Sequence, residues 1–386
     1  MRRNILKNRA WATTAFTLGL VVLGGTHTAL AAKPTPPPPP PPPPIVDQNI
    51  VYNMGADIRI MNADGTGDRS VFAQAGVNYT NIKPRWSPED NADPARRQIV
   101  FAGNPPATAG GVGSGIYTVD LDGSNLRQIC PAPVFTTPDW SPLPLPGTGE
   151  LDETGRPTDA DWILYEDFGP EQPDGSMFCD IFAVRRDGAI RINLTNTPDF
   201  DEEYPVWSPS ADRFAASVYD VDRTTGLDGQ TINNIVVYTI SIVNGLPQIS
   251  TVTVTPAYSN GWCVDWARTQ EKVFYIPGGS PRELRTVDVT TGNIQVITSP
   301  VYDASISPDD TKIAYQEFQG NIYVSDANGA NRVLIKSIAG GRRNSSAPMV
   351  SLDWRRYSPP GNRFQKIESV RVGRASRRPA TPSLLG

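Results

Sequence analysis

From Ile45 to about Pro360 the hydrophobic positions come in short runs that alternate with polar ones, and no stretch sustains a helical period. After Trp86 the chain reads "RQIVFAG", "SGIYTVDLDGSN" and "LRQIC"; after Trp140 it reads "DWILYEDF", "CDIFAVRRDG" and "IRINLT". Similar triplets follow Trp207, Trp266 and Ile306. Alternation of period two, rich in β-branched and aromatic residues, predicts strands; the Gly, Asp, Asn and Pro between them predict turns. Asp122-Gly123, Asp187-Gly188 and Asn328-Gly329 have the chemistry of tight hairpins between the last two strands of a unit.

Each triplet is introduced by an anchor. "PRWSP" at Trp86, "PDWSP" at Trp140 and "PVWSP" at Trp207 are clear copies; "VDWAR" at Trp266, "ASISP" at Ile306 and "LDWRR" at Trp354 are degenerate ones. They are 54, 67, 59, 40 and 48 residues apart, the length of one four-stranded propeller blade with variable loops. Trp354 lacks three following strands, whereas "QNIVYNMG", "DIRIMNADGTG" and "DRSVFA" at the start of the body lack an anchor. Joining them completes a sixth blade. The expected fold is therefore all-β, a six-bladed propeller over residues 48–360, closed by N-terminal strands pairing with the C-terminal anchor strand. Closure removes the exposed strand edges an open row would carry.

The succession of "P-x-W-S-P", a short apolar strand, a "D/G-I-Y-x-x-D-x-D/N-G" segment and a closing strand resembles the TolB-type WD40-like repeat, over roughly Gln48 to Tyr357. The Asp-Gly usual after the anchor is replaced by "ED", "LP", "SA" and "DD". The mixed α/β domain that precedes the propeller in TolB has no counterpart here beyond a short spacer. The resemblance thus implies a TolB-like propeller and a protein-binding role, without TolB's transmitting domain.

Outside the repeats, Met1 to Ala31 has the zones of an export signal. Arg2, Arg3, Lys7 and Arg9 precede an apolar stretch, and Ala29-Leu30-Ala31 suits a signal peptidase. Cleavage would discard His27, the only histidine. No Cys precedes Cys130, so no lipobox is expected. "RRNILK" resembles a twin-arginine signal but lacks the preceding Ser or Thr, and general secretion is the favoured route. Residues 32–47 form a spacer whose prolines from Pro36 to Pro44 favour stiff polyproline II, and residues 361–386 a basic, disordered tail. The chain has a formal charge of −5. Both ends are basic, so the body between them is more acidic than the whole and unsuited to nucleic acid. The expectation is a monomer, periplasmic or secreted, with no transmembrane segment after cleavage.

Without histidine, Ser-His-Asp and Cys-His catalysis and His-ligated metals are excluded from the mature chain. Nucleophile-elbow, phosphate-loop and zinc-protease motifs are absent. Ser87, Ser141 and Ser208 read as parts of the anchor turns. Carboxylates remain. "PDFDEEYP" contains Asp199, Asp201, Glu202 and Glu203; Asp139, Asp265 and Asp353 each precede an anchor Trp; Asp303 lies three residues before Ile306. Equivalent blade positions converge on one axis, so these acids could ring the channel mouth and hold Ca²⁺, or be satisfied by backbone donors, Arg85 and Lys83. No cofactor is required. Of the three cysteines, Cys130 and Cys179 are the one pair placed for a disulfide. The favoured function is a non-catalytic scaffold binding an envelope or extracellular protein or peptide. The alternatives are a carboxylate- and cation-dependent hydrolase or lyase, and a structural envelope protein.

Overall fold

The computed structural model describes residues 50–75, 82–88, 97–198, 200–220, 233–254, 261–278, 280–317, 320–337 and 351–354. The chain divides into Met1–Pro44 and Ile45–Gly386. The signal, the spacer and the basic tail lie outside the described residues, as does Asp199. Among the described residues no helix is long and apolar enough to cross a membrane.

Six four-stranded antiparallel sheets make up the propeller. The closing blade consists of β1 (Ile50–Met54), β2 (Asp57–Met61), β3 (Arg69–Phe72) and, from the far end of the chain, β24 (Leu352–Trp354). The second has β4 (Arg85–Trp86), β5 (Gln98–Gly103), β6 (Gly115–Asp120) and β7 (Arg127–Pro131). The third has β8 (Asp139–Trp140), β9 (Trp162–Phe168), β10 (Cys179–Arg185) and β11 (Arg191–Asn193). The fourth has β12 (Phe200–Trp207), β13 (Arg213–Asp220), β14 (Asn233–Val243) and β15 (Leu246–Val254). The fifth has β16 (Trp262–Trp266), β17 (Lys272–Ile276), β18 (Leu284–Asp288) and β19 (Ile294–Thr298). The sixth has β20 (Asp303–Ile306), β21 (Lys312–Gln316), β22 (Ile322–Asp326) and β23 (Val333–Lys336).

The seam is where the sequence places it. Strand β24 pairs with β1 in the register Ile50↔Trp354, Val51↔Asp353 and Tyr52↔Leu352. The inner strands β24, β4, β8, β12, β16 and β20 each touch the next around the ring.

The anchors build the six cores, one per blade interface. Trp207 packs on Trp162, Leu164 and Ile181 of the blade before it, and on Phe214 of its own. Trp86 meets Val51 and Ile58, Trp140 meets Val100 and Ile116, and Trp266 meets Val206 and Ile235 in the same way. Ile306 fills the equivalent place against Val264 and Phe274, and Trp354 does so against Ala314 and Ile322 of the sixth blade. Truncating a buried Trp to Ala costs roughly 3–5 kcal/mol, so each anchor is a large share of one interface. The Ser of W-S-P closes the first hairpin. Ser141 Oγ accepts from Trp162 N at 3.0 Å, Ser87 Oγ from Gln98 N at 3.0 Å and Ser208 Oγ from Arg213 N at 3.2 Å. These serines are structural, as their place in the motif suggests.

The hairpin glycines have a second role besides the turn. Gly188 has φ +73, and a β-carbon there would overlap the carbonyl oxygen of Ile129, on β7 of the preceding blade. Gly65, with φ +83, sits equally close to Ile335 O across the seam. Gly175 has φ +84 but nothing near its missing β-carbon. Gly175→Ala should therefore cost only the left-handed backbone term, about 1–2 kcal/mol, whereas Gly188→Ala must also push neighbouring blades apart. Denaturant unfolding should find Gly188→Ala the more destabilised by at least about 1 kcal/mol; equal losses would show that the approach is not an energetic contact.

Candidate functional site

The residues just before the anchors are Arg85, Asp139, Val206, Asp265, Ser305 and Asp353, and they meet around the axis. An inner strand is the edge of its sheet, so half its backbone N–H groups lack a strand partner. The side chain before one anchor supplies the acceptor for the anchor of another blade. Asp353 Oδ2 accepts from Trp86 N at 2.9 Å and Asp139 Oδ2 from Trp207 N at 2.7 Å, each across a single blade boundary. Asp265 Oδ2 accepts from Ile306 N at 3.0 Å, and Ser305 Oγ from Trp354 N at 2.9 Å. The Asp-Trp pairs read from the sequence are thus latches from one blade to the next.

Arg85 takes the place of an acid in this ring. Its Nη1 donates to Leu352 O at 2.8 Å and its Nε lies 4.0 Å from Asp139 Oδ1. Burial alone would lower its pKa, but Asp353, Asp303, Asp139 and Asp265 outweigh burial and hold it above the usual value. Asp303, at the start of its inner strand and so nearer the mouth, accepts from Ala304 N at 3.0 Å and Leu352 N at 3.2 Å. Asp265 is also clamped by Arg268, with Nη1 and Nη2 both at 2.8 Å. Asp139, Asp265, Asp303 and Asp353, four of the eight acids expected at the channel mouth, therefore come together, and they already share amide donors and resident guanidinium groups.

Asp201, Glu202 and Glu203 of the "DFDEEYP" segment form a separate group on β12, where the fourth blade meets the third. Asp201 Oδ1 accepts from Cys179 N at 2.7 Å. Glu202 is buried; its Oε1 accepts from Thr197 Oγ1, and its Oε2 has no partner among the described residues. Burial, with Asp180 and Asp201 nearby, pushes the Glu202 carboxyl up to about 8. Glu203 is raised to about 8 as well, by burial and by Asp201 and Glu166, with Lys83 opposing.

Glu166 was not singled out by sequence reasoning, because one acid in "LYEDF" carries no signal. It is the centre of this region. Its carboxylate accepts from Thr136 Oγ1 at 2.9 Å, from Thr137 N and Oγ1, and from Tyr204 N at 2.6 Å. The last bond fixes a bulge in β12, where pairing with β13 jumps between Glu203 and Val206 and Tyr204 has φ +56. Tyr204 is thereby set over Lys83, whose Nζ is 4.3 Å from the ring centroid. Lys83 is buried and its pKa is lowered by that burial, against the pull of Asp303, Glu166 and Glu203.

The expected Cys130–Cys179 disulfide is not formed. All three cysteines are free and buried. Cys130 packs in the Trp140 core, whereas Cys179 Sγ faces Asp201 and Glu203, with ligand atoms of the three within 4.8 Å of one another. Burial, then the charges of Asp201, Glu203 and Glu166, push the Cys179 thiol far up.

Removing a latch should unfold the ring more readily. Asp139→Ala leaves Trp207 N buried without an acceptor and Arg85 with one counter-charge fewer, for a loss of about 3 kcal/mol or more in chemical denaturation. Asp139→Asn, which retains an acceptor, should lose less; equal losses would contradict the latch. Calorimetric titration with Ca²⁺ should give no heat for the wild-type chain, and Arg85→Met should create a response by freeing the acids around it. Glu202 predicts a pH effect whose sign follows from its raised pKa. Its stabilisation is complete below about 4.5, the unfolded value, and is lost as pH rises through about 8. Glu202→Gln should match wild type in melting temperature at pH 5 and exceed it at pH 9. A difference independent of pH would refute the assignment.

No protein-family profile matches the chain, and no curated protein matches it. Solved structures do. TolB from Acinetobacter baumannii is 16% identical over 80% of this chain and 66% of its own length, just under two thirds, with a TM-score of 0.49. A protein described as TolB from Agrobacterium tumefaciens is 13% identical over 80% of this chain and 99% of its own, with a TM-score of 0.46. The tricorn protease is 12% identical over 79% of this chain and 34% of its own, with a TM-score of 0.44. At these identities the likeness is one of fold. The chain is a six-bladed β-propeller of four-stranded antiparallel blades.

Proposed function

We propose that the chain is an exported, non-catalytic scaffold of the cell envelope that holds a protein or peptide partner at the channel mouth. The mouth is the end where the inner strands begin; because neighbours are antiparallel, second strands end there and third strands start there. The observation that carries the reading is the apolar surface at that end. Phe135, Phe168, Met177 and Phe200 are 40%, 43%, 50% and 39% exposed, and Phe135 and Phe168 touch edge to face at 5.5 Å. Large side chains left exposed beside one another mark contact surfaces more often than they serve stability. The acids below, around the axis, are already held by anchor amides and by Arg85 and Arg268, so a partner would rest on the mouth. A spacer and a monomeric ring suit such a role.

A carboxylate-based hydrolase or lyase is the second reading. It is favoured by Glu203, which sits near neutrality beside the Lys83 amine, the range in which a general acid works. Metal-dependent turnover abolished by Glu203→Gln would support that reading.

Affinity capture from envelope extract should recover a specific partner on the wild-type chain. Phe168→Ser with Phe200→Ser should lose it while melting at the same temperature. Leu151→Ser, an exposed position in the loop following β8 at the opposite end, should retain it. Retention by the double variant would refute binding at the mouth.

A further inference from the structure

From the fourth to the sixth blade the mouth carries a different surface. Lys83 lies over Tyr204, and the Tyr204 ring is 6.4 Å from that of Trp262. Trp262 and Tyr302 in turn flank Arg282, whose Cζ is 5.0 Å from the first ring and 4.1 Å from the second. Trp262 opens β16, Tyr302 directly precedes β20, and Arg282 lies between β17 and β18, so three chain segments converge at one end of the channel. All of these rings, and Arg282 itself, are partly exposed.

Arg282 differs from the other stacked arginines. Arg186 lies over Trp140, Arg191 over Phe182, Arg213 over Trp266 and Arg332 over Tyr323. Each of those four also meets a carboxylate: Asp161, Asp167, Glu271 and Glu317 respectively. Arg282 has no such partner among the described residues. The acid beside it, Glu283, is engaged by Arg285 at 2.6 Å. A guanidinium packed against two rings has its freedom already restricted, and among the described residues no carboxylate meets its N–H edge. That edge matches the two oxygens of a carboxylate, and ordering it for binding loses little further freedom.

We propose that Arg282 is the seat for a carboxylate of an acidic peptide, with Trp262, Tyr204 and Tyr302 providing the apolar contacts on either side. This rests on the reading of the mouth as a peptide- or protein-binding surface. The occupant is set by charge. The body of the chain is acidic, its described arginines are largely matched to its own acids, and this guanidinium is left for an acid from elsewhere. A basic or purely apolar peptide would leave it buried and unpaired on binding.

The test is a selection of displayed random 12-residue peptides on the full chain, followed by fluorescence anisotropy of the winners made as synthetic peptides. The inference expects Asp or Glu beside an aromatic or aliphatic residue in most winners, and at least a tenfold loss of affinity when that acid becomes Asn or Gln. Arg282→Met should produce the same loss. Arg282→Lys should restore only a fraction of it, since an ammonium keeps the charge without the planar fork. Arg127→Met, at the opposite end of the ring, should bind as wild type. Winners whose affinity depends on a free terminus, tested as acid against amide, would locate the carboxylate at the chain end instead of a side chain, and both support the seat. Winners without acids, or affinities unchanged in Arg282→Met, would overturn the carboxylate seat and leave the binding scaffold standing. No winners at all would overturn both.

Discussion

One contact recurs around the ring and the rest of the structure depends on it: a side chain before one anchor accepts the anchor amide of the next blade. Apolar packing holds the blades face to face but does not satisfy the inner edge of each sheet. Buried N–H groups there need acceptors. Asp353, Asp139, Asp265 and Ser305 supply them in four of the six steps. Acceptors of that kind bring negative charge to the axis, and crowded acids in a buried place repel one another. Arg85, standing where an Asp stands in other blades, and Arg268 beside Asp265 balance that charge with the chain's own cations. The charge on the axis is thereby balanced from within the chain.

The consequence for function is a division along the axis. The deep ring is committed to holding the blades, so its acids are poor candidates for chemistry however suggestive their convergence. The exposed phenylalanines among the described residues, Phe135, Phe168 and Phe200, lie at the mouth. There the β12 bulge, fixed by Glu166, brings Tyr204 over Lys83, and loops from neighbouring blades bring Trp262, Arg282 and Tyr302 together. The bulge is a local break in an otherwise regular strand, a common device for aiming a side chain toward a functional surface.

The architecture was legible because propellers repeat. Trp86, Trp140 and Trp207 within the same five-residue motif set the blade count, and the unpaired Trp354 gave away the seam. The serines after them are legible as turn residues for the same reason. The site was only partly legible. Asp139, Asp265 and Asp353 could be grouped by their common place before a Trp, yet whether they faced a cation or a neighbouring amide depended on the blade-to-blade register. Glu166 and Arg282 could not be found at all, because their partners are distant in sequence and neither is a residue type that recurs at its position from blade to blade. The cysteine pairing failed on similar grounds. Cys130 and Cys179 are near in blade order, but one faces an apolar core and the other a group of acids.

The ring depends on the anchor amides being held by the preceding blade, and residue-resolved hydrogen exchange measures that directly. The amides of Trp86, Trp207, Ile306 and Trp354 should exchange only through global unfolding, with protection equal to that of the central strands. If those four exchange through local opening while β5, β9, β13 and β17 remain protected, the latches do not hold the ring and the account fails.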